Sequence, residues 1–159
     1  MATEVSTDQV IFRAEPLAAV WDEASPLFAQ HWQESGYPEL GFRLDRDWYE
    51  RLETIGVLKG FVAREAETDR LLGYASFIVG PQAHSPVIQA AQDTFYLRPE
   101  ARRGWLALRF LTWIEGQLAA SCVDVIFQHA REHSPLHVLL RRRAYRPVQT
   151  LFMKRLIHV

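Results

Sequence analysis

Cysteine is nearly absent: Cys122 is the single one in 159 residues, so no internal disulfide can staple the fold. It sits between the apolar segments QLAAS and VDVIF, with no neighbour that would stabilise a thiolate. A buried structural thiol is therefore expected rather than a nucleophile. Long hydrophobic runs are missing too. No stretch approaches the roughly 18 apolar residues of a membrane-spanning helix, and MATEVSTDQV has neither the basic nor the apolar region of a signal peptide. The expectation is a cytoplasmic protein with no membrane partner. There is no internal repeat, low-complexity tract or Gly/Ser linker, which leaves one domain over residues 1–159.

A surplus of charge is also lacking, with a formal net charge of −1. That figure hides an asymmetry. Residues 1–97 carry 7 basic against 15 acidic residues, whereas residues 98–159 carry 11 basic against 4 acidic. The basic half could serve a polyphosphate ligand, a nucleic acid or solubility, and composition does not choose among them. What the chain has in plenty is apolar material: 48% hydrophobic and 12% aromatic residues suffice for one substantial core.

Turn signals divide the chain. VIFRAEPL reads as a first strand, and Ala18 to Gln33 as a helix interrupted or kinked near Pro26. SGYPELGF is a loop. LDRDWYERLETIG is a second helix, with Asp45 or Asp47 as N-cap and Gly56 as stop. LKGFVARE and LLGYASFIVG, separated by the polar AETDR, form an antiparallel hairpin. PQAHSPVIQ is loop, and AQDTFYLRP a strand ending at Pro99. Ala107, Phe110, Leu111, Ile114 and Leu118 fall on one helical face. VDVIFQHA reads as a strand covered on both sides. Ser134 and Pro135 start a further helix, and VQTLFMKRLIH closes the chain as a last strand. The order β-α-α-β-β-β-α-β-α-β is a mixed α/β (α+β) domain on one sheet.

The segment RPEARRGWLALRFL combines a strand end, a turn with Arg102, Arg103 and Gly104, and a helix start. Unpaired N–H groups at a helix start, at the positive end of its dipole, suit a phosphate or pyrophosphate. In this context the chain resembles the GNAT N-acetyltransferase superfamily. The family's turn pattern is Gln or Arg, two variable residues, Gly, one variable residue, then Gly or Ala. Arg102 takes the first place, Trp105 stands in the first glycine place, and Ala107 takes the last. DTFYLRPEARRG is similar to the family's strand and turn, and SPLHVLLRRRAYRPVQTLFMKRL to its terminal helix and strand. The resemblance covers roughly residues 8–157. It implies a single, mostly antiparallel sheet flanked by helices, with acetyl-coenzyme A as cofactor.

The resemblance further implies that backbone N–H groups from Arg103 through Gly104, Trp105 and Leu106 to Ala107 receive the pyrophosphate, with Arg102 or Arg103 adding charge. Phe95, Tyr96 and Leu97 would pair with the pantetheine arm, and an N–H near Leu97 would polarise the thioester carbonyl. His133, where the family often has asparagine, would contact the arm. Asp93 is the candidate base, with His129 as second candidate; in strict alternation Asp93 shares the face of Phe95 and Leu97. His31 and Glu39 flank the loop that would cover the acceptor. Leu140 stands where many members carry a tyrosine acid. The acceptor is a small-molecule or protein amine, and a homodimer is a further candidate partner. Nucleic acid is disfavoured, because the basic residues are spread over several elements. No metal site is apparent. The rival from another class is a catalytically inactive GNAT-fold binding or interaction module, in keeping with Trp105 and Leu140.

Overall fold

The computed structural model describes residues 9–35, 37 and 40–156. By its internal contacts the chain has two compact units, Met1–Gln128 and His129–Val159, each described by itself. In the first unit the order is β1 (Val10–Ala14), α1 (Trp21–Ser35), α2 (Arg46–Thr54), β2 (Leu58–Glu65), β3 (Leu71–Pro81), β4 (Ile88–Leu97), a 3-10 turn (Pro99–Ala101), α3 (Leu106–Ala120) and β5 (Val125–Phe127). The second unit holds α4 (Pro135–Arg142).

The five strands form one sheet in the order β1-β2-β3-β4-β5. The first three pairings are antiparallel, and the last, β4 with β5, is parallel. The expected hairpin is β2–β3, and the loop beyond it is shorter than the turn residues suggest, because Pro81 pairs with Ile88.

Alternating residues of the sheet feed two apolar layers. On one face Phe61, Ala75, Phe77, Ala90 and Leu97 pack with Leu106, Phe110, Ile114 and Leu118 of α3. Leu106 is buried where the helical pattern places Ala107, which is half-buried. On the other face Val62, Leu71, Tyr74 and Tyr96 pack with Ala24, Leu27 and Phe28 of α1 and against Tyr49 of α2. Helix α1 runs through Pro26 without interruption.

Caps behave as their residue types dictate. The Asp45 carboxylate accepts from the Trp48 N–H, and the Ser134 hydroxyl from the His137 N–H, with Pro135 opening α4. Gly56 ends the α2 segment at φ +77°.

Three expectations are corrected. The final strand expected from Val148 onward does not form: residues 147–156 have no regular structure, and Val148, Leu151, Phe152 and Leu156 are exposed with no ladder partner among the described residues. Residues 157–159 lie outside the described residues. Secondly, β5 is three residues long and at most half-buried, because it lies at the sheet edge with β4 on one side only. Thirdly, Cys122 is exposed, in a turn just past α3 at φ +61°.

Candidate active site

The site begins with a mismatch in length between two strands. β4 pairs with β3 along its course to Leu97, but with β5 only at Gln89, Ala90 and Ala91. From Gln92 to Leu97 its other edge has no strand partner among the described residues. That edge offers backbone N–H and C=O groups to an extended ligand.

At the upper end of this edge the chain is pinned. Arg98 N–H donates to the Leu72 carbonyl at 2.8 Å and its Nε to the Leu71 carbonyl at 2.7 Å. Gly73 lies opposite Leu97, and a Cβ there would collide with the Leu97 side chain and the Tyr96 carbonyl. The 3-10 turn then leads to Gly104, whose φ of +65° is the left-handed conformation that glycine adopts without cost. Helix α3 follows with Trp105 as its N-cap, and the Trp105 side chain makes no capping hydrogen bond. The Trp105 side chain is 69% exposed. It leans out into solvent while the backbone turns into the helix. The N–H groups of Leu106 and Ala107 thus stand behind a glycine turn, as an anion requires.

Arg102 does something the motif does not announce. Its Nε donates to the Leu97 carbonyl at 2.8 Å, its Nη2 pairs with Glu34 Oε2 at 2.7 Å, and its guanidinium covers the Tyr96 ring at 4.9 Å. It braces the turn against β4 and α1. Arg103 is exposed.

At the lower end, Asp93 is the surplus residue of a β-bulge. Ser76 pairs with Thr94 and Phe77 with Gln92, so Asp93 has no partner of its own on β3. The bulge breaks strict alternation. Asp93 accordingly does not share the face of Phe95 and Leu97, which pack toward α3. Its Oδ2 accepts from the Ser76 hydroxyl at 2.7 Å and from the Tyr49 hydroxyl of α2 at 3.1 Å. Ser76 also shares a hydrogen bond of 2.7 Å with Thr94 Oγ1. Asp93 itself is exposed. Burial, followed by the Asp93 charge, pushes the Tyr49 phenol well up, so it stays a donor.

His31 of α1 is half-buried on this same face. Its Nδ1 lies 2.8 Å from the Tyr74 hydroxyl, and its ring stacks on Tyr96 at 4.8 Å. Burial lowers its pKa to about 4, against a smaller opposing effect of Glu34, so the ring is neutral at neutral pH. Burial and then Glu34 push the Tyr96 phenol up to about 12, and its hydroxyl donates to Glu34 at 2.8 Å. Burial raises Tyr74 further still.

The structure thus gathers Asp93, Phe95, Tyr96, Leu97, Arg102, Gly104, Trp105, Leu106, Ala107 and His31 in the first unit, around β4 and the start of α3. His133 belongs to the second unit, where it is 90% exposed at φ +62° beside Glu132. Leu140 is buried. Glu39 lies outside the described residues. Tyr49, Ser76, Thr94 and Glu34 were not singled out by the sequence reading. Their partners are 17 to 62 residues away along the chain, and two of the pairs meet only through the bulged pairing of β3 with β4. Among the described residues no cluster of three metal-binding side chains occurs, and no helix is long and apolar enough to cross a membrane.

No protein-family model matches the chain, and no curated protein matches it in sequence. Solved structures do match. An aminoglycoside acetyltransferase from an uncultured soil metagenomic sample superposes with a TM-score of 0.74 at 15% identity, covering 93% of this chain and 99% of its own. A ribosomal-protein-alanine N-acetyltransferase from Brucella melitensis biovar Abortus 2308 gives 0.71 at 16% identity, covering 92% and 99%. A predicted acetyltransferase with acetyl-CoA from Clostridium acetobutylicum gives 0.71 at 10% identity, covering 92% and 96%. The chain has a GNAT-like fold, and at these identities the likeness is one of fold.

Proposed function

We propose that this chain is an N-acetyltransferase that takes an acetyl group from acetyl-coenzyme A and gives it to an amine. The observation that carries the reading is the coincidence, at one place, of an unpaired strand edge, a left-handed glycine turn and a helix start whose N-cap side chain makes no hydrogen bond. An extended arm ending in a pyrophosphate needs those three things in that order. Acetyl-coenzyme A would supply the activated acyl thioester. The backbone of Phe95, Tyr96 and Leu97 would hold the arm, and the N–H groups of residues 103–107 the phosphates. Arg102, braced on Leu97 and Glu34, would act by fixing the turn, with Arg103 adding charge.

The acceptor amine arrives protonated, since an alkylamine has a pKa of about 10.4. Asp93, exposed at the foot of the open edge and oriented by Ser76 and Tyr49, would attract the ammonium group and pass its proton to water. His31, neutral and backed by Tyr74 and Tyr96, would form part of the acceptor wall. His133 would contact the arm, and Glu39 the acceptor. Acceptors are small-molecule or protein amines, a homodimer is the proposed assembly, and the cytoplasm is the proposed location.

A second reading, a GNAT-fold binding module without chemistry, is favoured by the inward engagement of the Arg102 guanidinium. Calorimetric titration with coenzyme A, coupled to a thiol-release assay with a panel of primary amines, separates the two. Binding with release, reduced roughly a hundredfold or more in Asp93→Asn, is the expected result. Binding without release on any amine supports the module, and no binding at millimolar coenzyme A sinks the enzyme and leaves the interaction module.

A further inference from the structure

Consecutive residues of a strand point to opposite faces, yet Asp93 and Thr94 both reach the Ser76 hydroxyl, each at 2.7 Å. The bulge at Asp93 makes this possible. Ser76 has one hydroxyl proton, and the Asp93 carboxylate can only accept it. In the other hydrogen bond of Ser76 the donor must then be Thr94. The protons therefore all point one way, from Thr94 to Ser76 to Asp93 Oδ2, and the Tyr49 hydroxyl donates to that same oxygen. Two acceptors are left over. Asp93 Oδ1 and the remaining lone pair of Thr94 Oγ1 meet no donor among the described residues. Thr94, having given its proton to Ser76, can offer a ligand only acceptance.

Ser76 is buried, Thr94 is half-buried and Asp93 is exposed, so the pair is closed from the sheet side and open to solvent. A hydroxyl oxygen that donates one bond and accepts another holds its two partners at roughly the tetrahedral angle. An ammonium nitrogen on the solvent side, using two of its N–H groups, spans the same pair. We propose, on the basis of the acyl-transfer reading, that Thr94 is a specificity-determining residue whose Oγ1, together with Asp93 Oδ1, seats the ammonium group of the acceptor before its proton is lost. Asp93 supplies charge, which satisfies any cation. Thr94 supplies a second acceptor, which only a nitrogen with two or more N–H groups can use. The class selected is a primary amine; a protonated tertiary amine has one N–H and is held by the carboxylate alone.

The test compares amines with and without the second N–H. Thiol release from acetyl-coenzyme A is followed in wild type, Thr94→Val and Thr94→Ser with phenethylamine, butylamine and glycinamide, and the N,N-dimethyl counterpart of each amine serves as competitive inhibitor. Thr94→Val, which keeps the shape and removes the hydroxyl, is expected to raise KM for the primary amine roughly tenfold, with kcat within about threefold and KM for acetyl-coenzyme A within about twofold of wild type. Inhibition by the dimethyl amine is expected to change by less than about twofold, because its one N–H goes to Asp93. Thr94→Ser restores the hydroxyl and should bring the amine KM back. An unchanged amine KM in Thr94→Val overturns the role of Thr94 and leaves the acyltransferase reading standing. Equal weakening of primary amine and dimethyl inhibitor, or no rescue by Thr94→Ser, marks Thr94 as structural and overturns it too. If wild type releases thiol with none of these amines, the acyltransferase reading fails, and the ammonium seat with it.

Discussion

The two faces of the sheet are built from different chemistry. Toward α3 the core is Phe, Leu, Ile and Ala, with Phe12 stacked on Phe110 at 5.2 Å and Phe61 edge-on to Phe77 at 6.1 Å. Toward α1 and α2 the aromatic residues carry hydroxyls and an imidazole: Tyr49, Tyr74, Tyr96 and His31, each hydrogen-bonded to another polar group. The first face does one thing, removing apolar area from water. The second combines burial with satisfied polar groups in a low-dielectric layer, where proton affinities move and donors are held in place. Stability on one face should be indifferent to pH, and on the other should depend on it.

Phe110→Ala breaks the apolar face most severely. Phe110 is fully buried at the centre of its cluster, and its truncation is expected to cost about 3–5 kcal/mol in denaturant unfolding, with little change between pH 5 and 7. A pH-dependent loss would blur the comparison.

The His31 side should behave in the opposite way. The folded pKa, about 4, lies under the unfolded value of 6.5, so between the two the unfolded chain holds a proton that the folded chain does not. Stability from the neutral ring is full above pH 6.5 and is lost as pH falls toward 4, a change of about 3 kcal/mol. Unfolding measured across that window should flatten in His31→Gln. An unaltered slope would remove His31 as its source.

How far the sequence foretold this arrangement differs between elements. Local chemistry was legible: Asp45 and the Ser134–Pro135 pair mark helix starts because a side-chain oxygen, or a missing N–H, answers a need confined to one turn. The β2–β3 hairpin and the turn at Gly104 before α3 were legible for the same reason. Strand behaviour that depends on neighbours was not. Alternation puts Asp93 with Phe95, yet one bulge opposite Ser76 turns it toward Tyr49. The apolar pattern of VDVIFQHA suggests a covered strand, but edge position shortens it to three residues. The alternation in VQTLFMKRL is likewise not enough to make a strand where no ladder partner is found. The hydroxyl partners are invisible for a related reason, since Tyr96 meets Glu34 across 62 residues.

Tyr49→Phe sharpens the comparison at its smallest scale. It removes one of the two hydrogen bonds to Asp93 and keeps the ring that packs on Phe28, so a loss of about 1 kcal/mol is expected in denaturant unfolding. A loss of 3 kcal/mol or more would show that the face depends on this hydroxyl far beyond one bond.

The central claim is that the part of β4 beyond its ladder with β5 and the start of α3 together hold coenzyme A. Amide hydrogen exchange, with and without coenzyme A, reads both halves of that strand at once. Exchange at residues 93–97 and 105–107 is expected to slow on binding, while residues 89–91, already paired with β5, stay as they were. Binding that leaves the open edge and the helix start unprotected, or that protects other residues instead, would contradict the account.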